Sequence, residues 1–221
     1  MPLVDLSHVI EHGLVSYPGL PGPIICDYLS REASRARYAP GVEFQIGKIE
    51  MVANTGTYVD APFHRYADGA DIARLPLESL AGLDGIVVHD RTGAIGTRAV
   101  GPEAFAGLDL TGKAVLVHTG WDTHWGTPAY LSGHPFLTAA AANELVLRGA
   151  ALVGIDSLNI DDVEDAARPV HSALLGAGIP IVEHLCNLDS LPEGGFRFSA
   201  VPARVAGMGS WPVRAFAALP G

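Results

Sequence analysis

Short apolar runs broken by turn residues set the pattern of this chain. Gly85-Ile-Val-Val-His-Asp90, Ala114-Val-Leu-Val-His118 and Ala151-Leu-Val-Gly-Ile-Asp156 are runs of the kind found in sheets covered on both faces. Between the last two, Thr138 to Arg148 reads as the best helix. Thr138 is a natural N-cap, the alanines and leucines are good helix formers, and Gly149 suits the position just past the end. A shorter helix is expected from about Val170 to Leu175, then a strand from Ile179 to Leu185. Leu3 to Ile10 also reads as a strand. Val42, Phe44 and Ile46 alternate with polar neighbours, and Ile49 and Met51 resume after a slip near Gly47, which predicts one long, bulged strand. Tyr17-Pro-Gly-Leu-Pro-Gly-Pro23 is an ordered loop rich in turn residues. Arg197 to Val201 and Val213 to Leu219 read as a closing strand pair. Strands early and βα alternation later predict an α/β domain on a mixed sheet. No repeat or linker-like tract interrupts the chain, so residues 1–221 are expected to form a single domain.

Composition narrows the classes of function. With 48% hydrophobic residues the chain can fill a sizeable core. A net charge of −10 argues against nucleic acid or an anionic membrane as the main partner. Cys26 and Cys186 are too few and too far apart for a disulfide framework or a thiolate zinc site. The chain starts on a strand pattern without a basic and apolar leader, and no apolar run approaches the ~20 residues that span a bilayer. A cytoplasmic enzyme acting on a small molecule is the expectation.

Chemistry concentrates in two segments. In Asn54-Thr-Gly-Thr-Tyr-Val-Asp-Ala-Pro-Phe-His64, an extended backbone would point Tyr58, Asp60 and His64 the same way. Gly56 permits a turn or close approach, and Pro62 stops strand pairing, leaving His64 near an open strand end. A carboxylate and an imidazole aimed into one cavity suit a metal ligand and a general base. A buried strand with a hydrogen-bonded Asp and an incidental His fits the spacing equally. In the second segment, the strand ending at Asp156 leads into polar Ser157-Leu-Asn-Ile-Asp-Asp162, and such strand ends are where α/β proteins place ligands. His171 falls in the first turn of the next helix, where the dipole favours a neutral ring. Glu183 interrupts an apolar strand, where a charge needs a partner: a functional site, or an ion pair with an arginine such as Arg168.

The first segment resembles the signature His-x-Gly-Thr-His-x-Asp-x-Pro-x-His of the cyclase/kynurenine formamidase family. Gly56, Thr57, Asp60, Pro62 and His64 match, whereas Asn54 and Tyr58 stand where the family has histidines. Glu183-His-Leu-Cys-Asn-Leu188, twelve residues after His171, the Trp121/Trp125 segment and the Tyr17-Pro18-Gly19 turn carry the likeness along nearly the whole chain. The resemblance implies a layered β/β/α domain of the swivelling type. It also implies two metal ions, with Asp60 and Glu183 as bridging carboxylates, His171 as a ligand of one ion and His64 as general acid/base.

Asn54 and Tyr58 replace the ligands of the other ion, since an amide is a poor zinc ligand and a phenol, with pKa about 10, binds only if ionised. The expectation is therefore one divalent ion, zinc or manganese, held by Asp60, His171 and Glu183. It would acidify a water for hydrolysis of an amide, cyclic amide or lactone-like bond in a small, aromatic substrate. Tyr58 is assigned to the oxyanion, and Tyr17, Asn54 and Trp121 to substrate binding. Rival readings are a metal-free cyclase, isomerase or lyase using His64, Tyr58 and Asp60, and a non-catalytic small-molecule-binding protein. Backbone bonds are expected for His89 and His118, exposure for His8, His12, His124 and His134, and the opposite sheet face for His184. The N-terminal loop and the Trp121/Trp125 segment offer apolar surface, and the resemblance agrees: a homodimer or homotetramer is expected.

Overall fold

The computed structural model describes residues 1–90 and 97–221. Its strands are β1 (Leu3–Asp5), β2 (Ile24–Leu29), β3 (Ile46–Glu50), β4 (Tyr58–Asp60), β5 (Leu83–His89), β6 (Ala99–Val100), β7 (Ala114–His118), β8 (Phe136–Leu137), β9 (Leu152–Ile155), β10 (Ile181–Glu183), β11 (Gly194–Ser199), β12 (Ser210–Pro212) and β13 (Phe216–Ala218). The α-helices are α1 (Arg31–Ser34), α2 (Ala139–Leu147) and α3 (Pro169–Gly176). Nine strands form one mixed sheet in the order β1-β13-β11-β5-β7-β9-β10-β4-β12. Its centre, β5 to β10, is parallel, and the pairs outside it are antiparallel. Among the described residues β2 pairs only with β3, and β6 only with β8.

Side-chain alternation divides the apolar residues into two cores. Ala114, Leu116, Leu152 and Val182 join Val59, Phe196 and Phe198 on one face. Val115, Val117, Val153, Ile155 and Ile181 meet α2 and α3 on the other, through Ala141, Leu145, Val170 and Leu174. Both faces of the central strands are therefore covered, as their unbroken apolar runs require. Thr138 caps α2 by accepting from the Ala141 N–H at 3.1 Å, and Gly149 follows with a left-handed φ of 70°.

The N-terminal region departs from the sequence pattern. β1 stops at Asp5, and Ser7 then meets Leu185 through an isolated bridge instead of continuing a strand to Ile10. The long strand expected from Val42 to Met51 is extended only over β3, and the register slip lies in its partner between Asp27 and Leu29. Every residue of β3 is exposed. Alternation implies a covered face, yet every residue of this hairpin's two strands except Leu29 is exposed.

Candidate active site

The cross-strand register places the key carboxylates. Val59 and Val182 turn into one core, so Tyr58 and Asp60 on β4 and Glu183 on β10 turn to the face where α3 packs. Glu183 lies opposite Tyr58, while Ser210 on β12 lies opposite Asp60 from the other side. Extended backbone ends at Asp60. Pro62 then opens a single 3-10 turn, where its missing N–H costs nothing, and His64 closes it. His64 thus reaches the site by a turn and not along a strand, with Nδ1 3.8 Å from Asp60 Oδ1.

The turn is held tightly from behind. A Cβ on Gly209 would lie 2.5 Å from His64 Cα and 2.7 Å from its N. Gly209→Ala is therefore expected to shift the His64 backbone, lower stability by about 1–3 kcal/mol and reduce turnover, checked by thermal melts alongside initial rates.

Hydrogen bonds fix the protons. Ser210 Oγ bonds Asp60 Oδ1 and sits 3.0 Å from His64 Nδ1 and 3.2 Å from Asn54 Nδ2. The hydroxyl has one proton, given to the carboxylate, so it accepts from His64 Nδ1–H and from the Asn54 amide. The neutral His64 ring then carries its lone pair on Nε2. That ring is 37% exposed, open to solvent and substrate. Asp60 is fully buried, and among the described residues its Oδ2 has no hydrogen-bond partner, with His171 Nε2 3.5 Å away. Burial opposes its charge, but His64 and His171 outweigh this and hold the carboxyl below its ordinary value.

His171 sits in the first turn of α3, as expected, but the helix dipole does not decide its charge. Asp161 accepts the N–H groups of Val170 (2.7 Å) and His171 (3.0 Å) and the ring Nδ1–H (2.6 Å). Burial pulls the ring's pKa down, yet Asp161, Asp60 and Glu183 push it up to about 10. Nε2 faces Asp60 Oδ2 and, at 3.7 Å, Glu183 Oε1. Asp161 locks Nδ1 as the donor, and this leaves Nε2 as the ring's ligand atom whenever it is neutral.

Glu183 accepts from Tyr58 Oη–H, from the Ile160 N–H at 2.7 Å and from Asn159 Nδ2 at 3.4 Å. Burial raises it to about 7, against the charge of His171 and with reinforcement from Asp60. It makes no ion pair with Arg168 among the described residues. Burial, then Glu183 and Asp60, keep Tyr58 a phenol far above its ordinary pKa. Asn54 and Tyr58 therefore act as neutral donors to the two carboxylates.

Asn54, Tyr58, His64, Asn159, His171 and Glu183 border a cavity of about 280 Å³ with Tyr17, Leu20, Arg65 and Arg168 at its walls, and Asp60 lies buried behind it. The structure thus brings together Asp60, His64, His171, Glu183, Tyr58, Asn54 and Tyr17. Trp121 does not line this cavity, and its indole N–H bonds the Tyr130 carbonyl at 3.0 Å. Sequence reasoning assigned no role to Asp161, Asn159 or Ser210. An acid ahead of a helix start is a recognisable signal for Asp161, whereas Ser210 has none, since its place depends on pairing with β4.

Asp60, His64 and His171 offer ligand atoms close enough to hold one cation, and so do His118, Asp122 and Asp156. The donor atoms separate the two groups. Asp156 spends both oxygens on the Thr119 N–H and hydroxyl and the Gly120 N–H, while Asp60 keeps one free. Other histidines correct the expectations. His89 and His118 bond each other at 2.8 Å, with no ring bond to backbone among the described residues. His134 is buried, with Nε2 3.0 Å from the Asp161 carbonyl. His184 has a left-handed φ of 57° that breaks strand alternation and tucks its ring against Tyr58.

A family description, putative cyclase, matches residues 4–162. A kynurenine formamidase of Bacillus cytotoxicus is 28% identical over 212 residues, 96% of this chain and 95% of that protein. Among solved structures, isatin hydrolase A from Labrenzia aggregata superposes with a TM-score of 0.83 at 23% identity, over 100% of this chain and 94% of that one. A predicted metal-dependent hydrolase from Bacillus stearothermophilus gives 0.75 at 25% identity, over 98% and 97%.

Proposed function

The chain belongs to the putative cyclase family, and we propose that it hydrolyses an amide, cyclic amide or lactone-like bond in a small aromatic molecule. The observation that carries this reading is the buried Asp60 Oδ2, without a hydrogen-bond partner among the described residues, facing His171 Nε2 behind the cavity floor. We place a single divalent cation on Asp60, His171 and Glu183: Asp60 and His171 bring ligand atoms close together, and Glu183, whose two oxygens already accept three hydrogen bonds, would bind through a remaining lone pair. Such an ion would lower the pKa of a water and polarise the scissile carbonyl.

The protein's own groups handle the proton. His64 Nε2 takes it from the attacking water as the new C–O bond forms. The same nitrogen returns it to the leaving nitrogen or oxygen as the old bond breaks. Tyr58 can donate to a developing oxyanion only by releasing Glu183, so its resting part is to hold that carboxylate. Tyr17 and Leu20 supply wall surface for a ring.

Elemental analysis of protein purified without chelator, together with turnover of an aryl formamide, isatin and an aryl lactone, tests the reading. One zinc or manganese per chain and loss of turnover on chelation are expected. Turnover that survives exhaustive chelation favours a metal-free enzyme, and a metal-loaded protein inert on the whole panel favours a binding protein.

We also propose a homodimer or higher homo-oligomer. An isolated two-stranded hairpin is marginal in water, and β2–β3 with its flanks exposes Ile24, Tyr28, Phe44, Ile46 and Ile49. A second copy is the occupant we assign to that surface. Light scattering at micromolar concentration is expected to give at least twice the 23.1 kDa chain mass; a monomer mass overturns the assignment.

A further inference from the structure

The cavity has two chemical ends. His171 and Glu183 line its floor, with Asp60 buried beside His171, and Arg168 lines its wall. All the acceptors recorded for Arg168 are neutral: Asn159 Oδ1 at 3.3 Å, the Asp162 carbonyl at 3.2 Å, the Tyr17 hydroxyl at 3.3 Å and the Val163 carbonyl at 3.4 Å. No carboxylate approaches it within 4.0 Å among the described residues, whereas Asp162, close by in sequence, turns its own carboxylate to Arg98 at 3.6 Å. Arg65 brings a second guanidinium to the same wall.

The backbone shows that the position is enforced. Arg168 has φ 46° and ψ 57°, a left-handed conformation that side-chain-bearing residues rarely adopt. That bend, just ahead of α3, accompanies the aim of the side chain at the cavity. Asn159 links the two ends: its amide oxygen accepts from Arg168 and its amide nitrogen donates to Glu183. The guanidinium therefore sits one amide side chain beyond the floor, a separation a single aromatic ring can span.

We propose that Arg168 binds a carboxylate carried by the substrate, distinct from the bond that is cleaved. The substrate class narrows to small aromatic amides or lactones bearing an acid group, with their scissile carbonyl at the floor and their carboxylate on Arg168. A planar guanidinium is suited to that anion. The proposal rests on the hydrolase reading above and deepens it.

The test compares 3-formamidobenzoate with 3-formamidobenzamide on protein purified without chelator. Wild type is expected to prefer the acid in kcat/KM, with a KM for the acid that rises with salt while that for the amide stays flat. In Arg168→Gln the acid-to-amide ratio of kcat/KM should fall about 10- to 100-fold, the worth of a charge-assisted pair, and Arg168→Lys should recover part of it. Wild type showing no preference for the acid overturns the proposal, as does an unchanged ratio in a folded Arg168→Gln. If neither compound is turned over, the hydrolase reading fails on these substrates. Calorimetric binding of benzoate against benzamide then still decides the subsite, with equal affinity counting against it. That comparison needs only wild type, so a variant that does not fold leaves the proposal open to refutation.

Discussion

Replacing His64 with alanine is expected to lower kcat by about 10²- to 10⁴-fold, the usual contribution of a positioned acid/base, with divalent-cation content unchanged. Its Nδ1 is anchored to Ser210, and its ring is part-exposed where a substrate would enter. Asp60 and His171, by contrast, are buried and face each other. His64 is also close enough to those two to act as a ligand, so the two readouts must be taken on the same sample. Elemental analysis showing loss of the ion from His64→Ala would move His64 into the ligand set and leave the proton to another group. Single-turnover kinetics then separate the chemical step from product release.

Asp60→Asn should be more severe. The substitution keeps the shape but removes the charge that faces His171, and the protein is expected to lose its cation and at least ~10³-fold in kcat/KM, as several kcal/mol of charge stabilisation implies. Elemental analysis and kcat/KM on one preparation check both losses. An Asp60→Asn variant that retains full cation and turnover would sink the ligand assignment. Unfolding is a separate question with its own sign. The Asp60 carboxyl is held below 3.8 by His64 and His171 despite its burial, so its charge contributes stability above the unfolded value, and that contribution is lost as pH falls further. In chelated protein the melting difference between wild type and Asp60→Asn should be present at neutral pH and close below pH 3.8.

What the sequence disclosed depended on how local each signal was. Thr138 and Gly149 bracket α2 because capping is decided within a few residues. The run Ala114 to His118 is β7, since an apolar segment of that length buried on both faces has few alternatives. His171 and Glu183 stood out because a helix start and a carboxylate inside an apolar strand are local oddities. Ser210 did not, because its chemistry comes from lying opposite Asp60, 150 residues away. The alternation of Val42, Phe44 and Ile46 misled for another reason: only Ile46 falls in β3, and all three side chains are exposed. His64 comes beside Asp60 through a turn and not along the strand, because Pro62 ends one element and starts another.

The insertion of β4 between β10 and β12 also has a kinetic consequence. β4 comes early in the chain, yet both its neighbours, residues 181–183 and 210–212, come late. Contacts that close such long loops form slowly, because the chain entropy is lost before the contacts repay it. During synthesis the buried carboxylate of Asp60 has neither flanking strand until almost the whole chain has emerged, so catalytic competence is among the last properties the folding protein acquires. A chain cut short before Ser210 would retain the parallel strands β5, β7, β9 and β10 but leave β4 as an exposed edge, where unpaired N–H and C=O groups invite pairing with other chains.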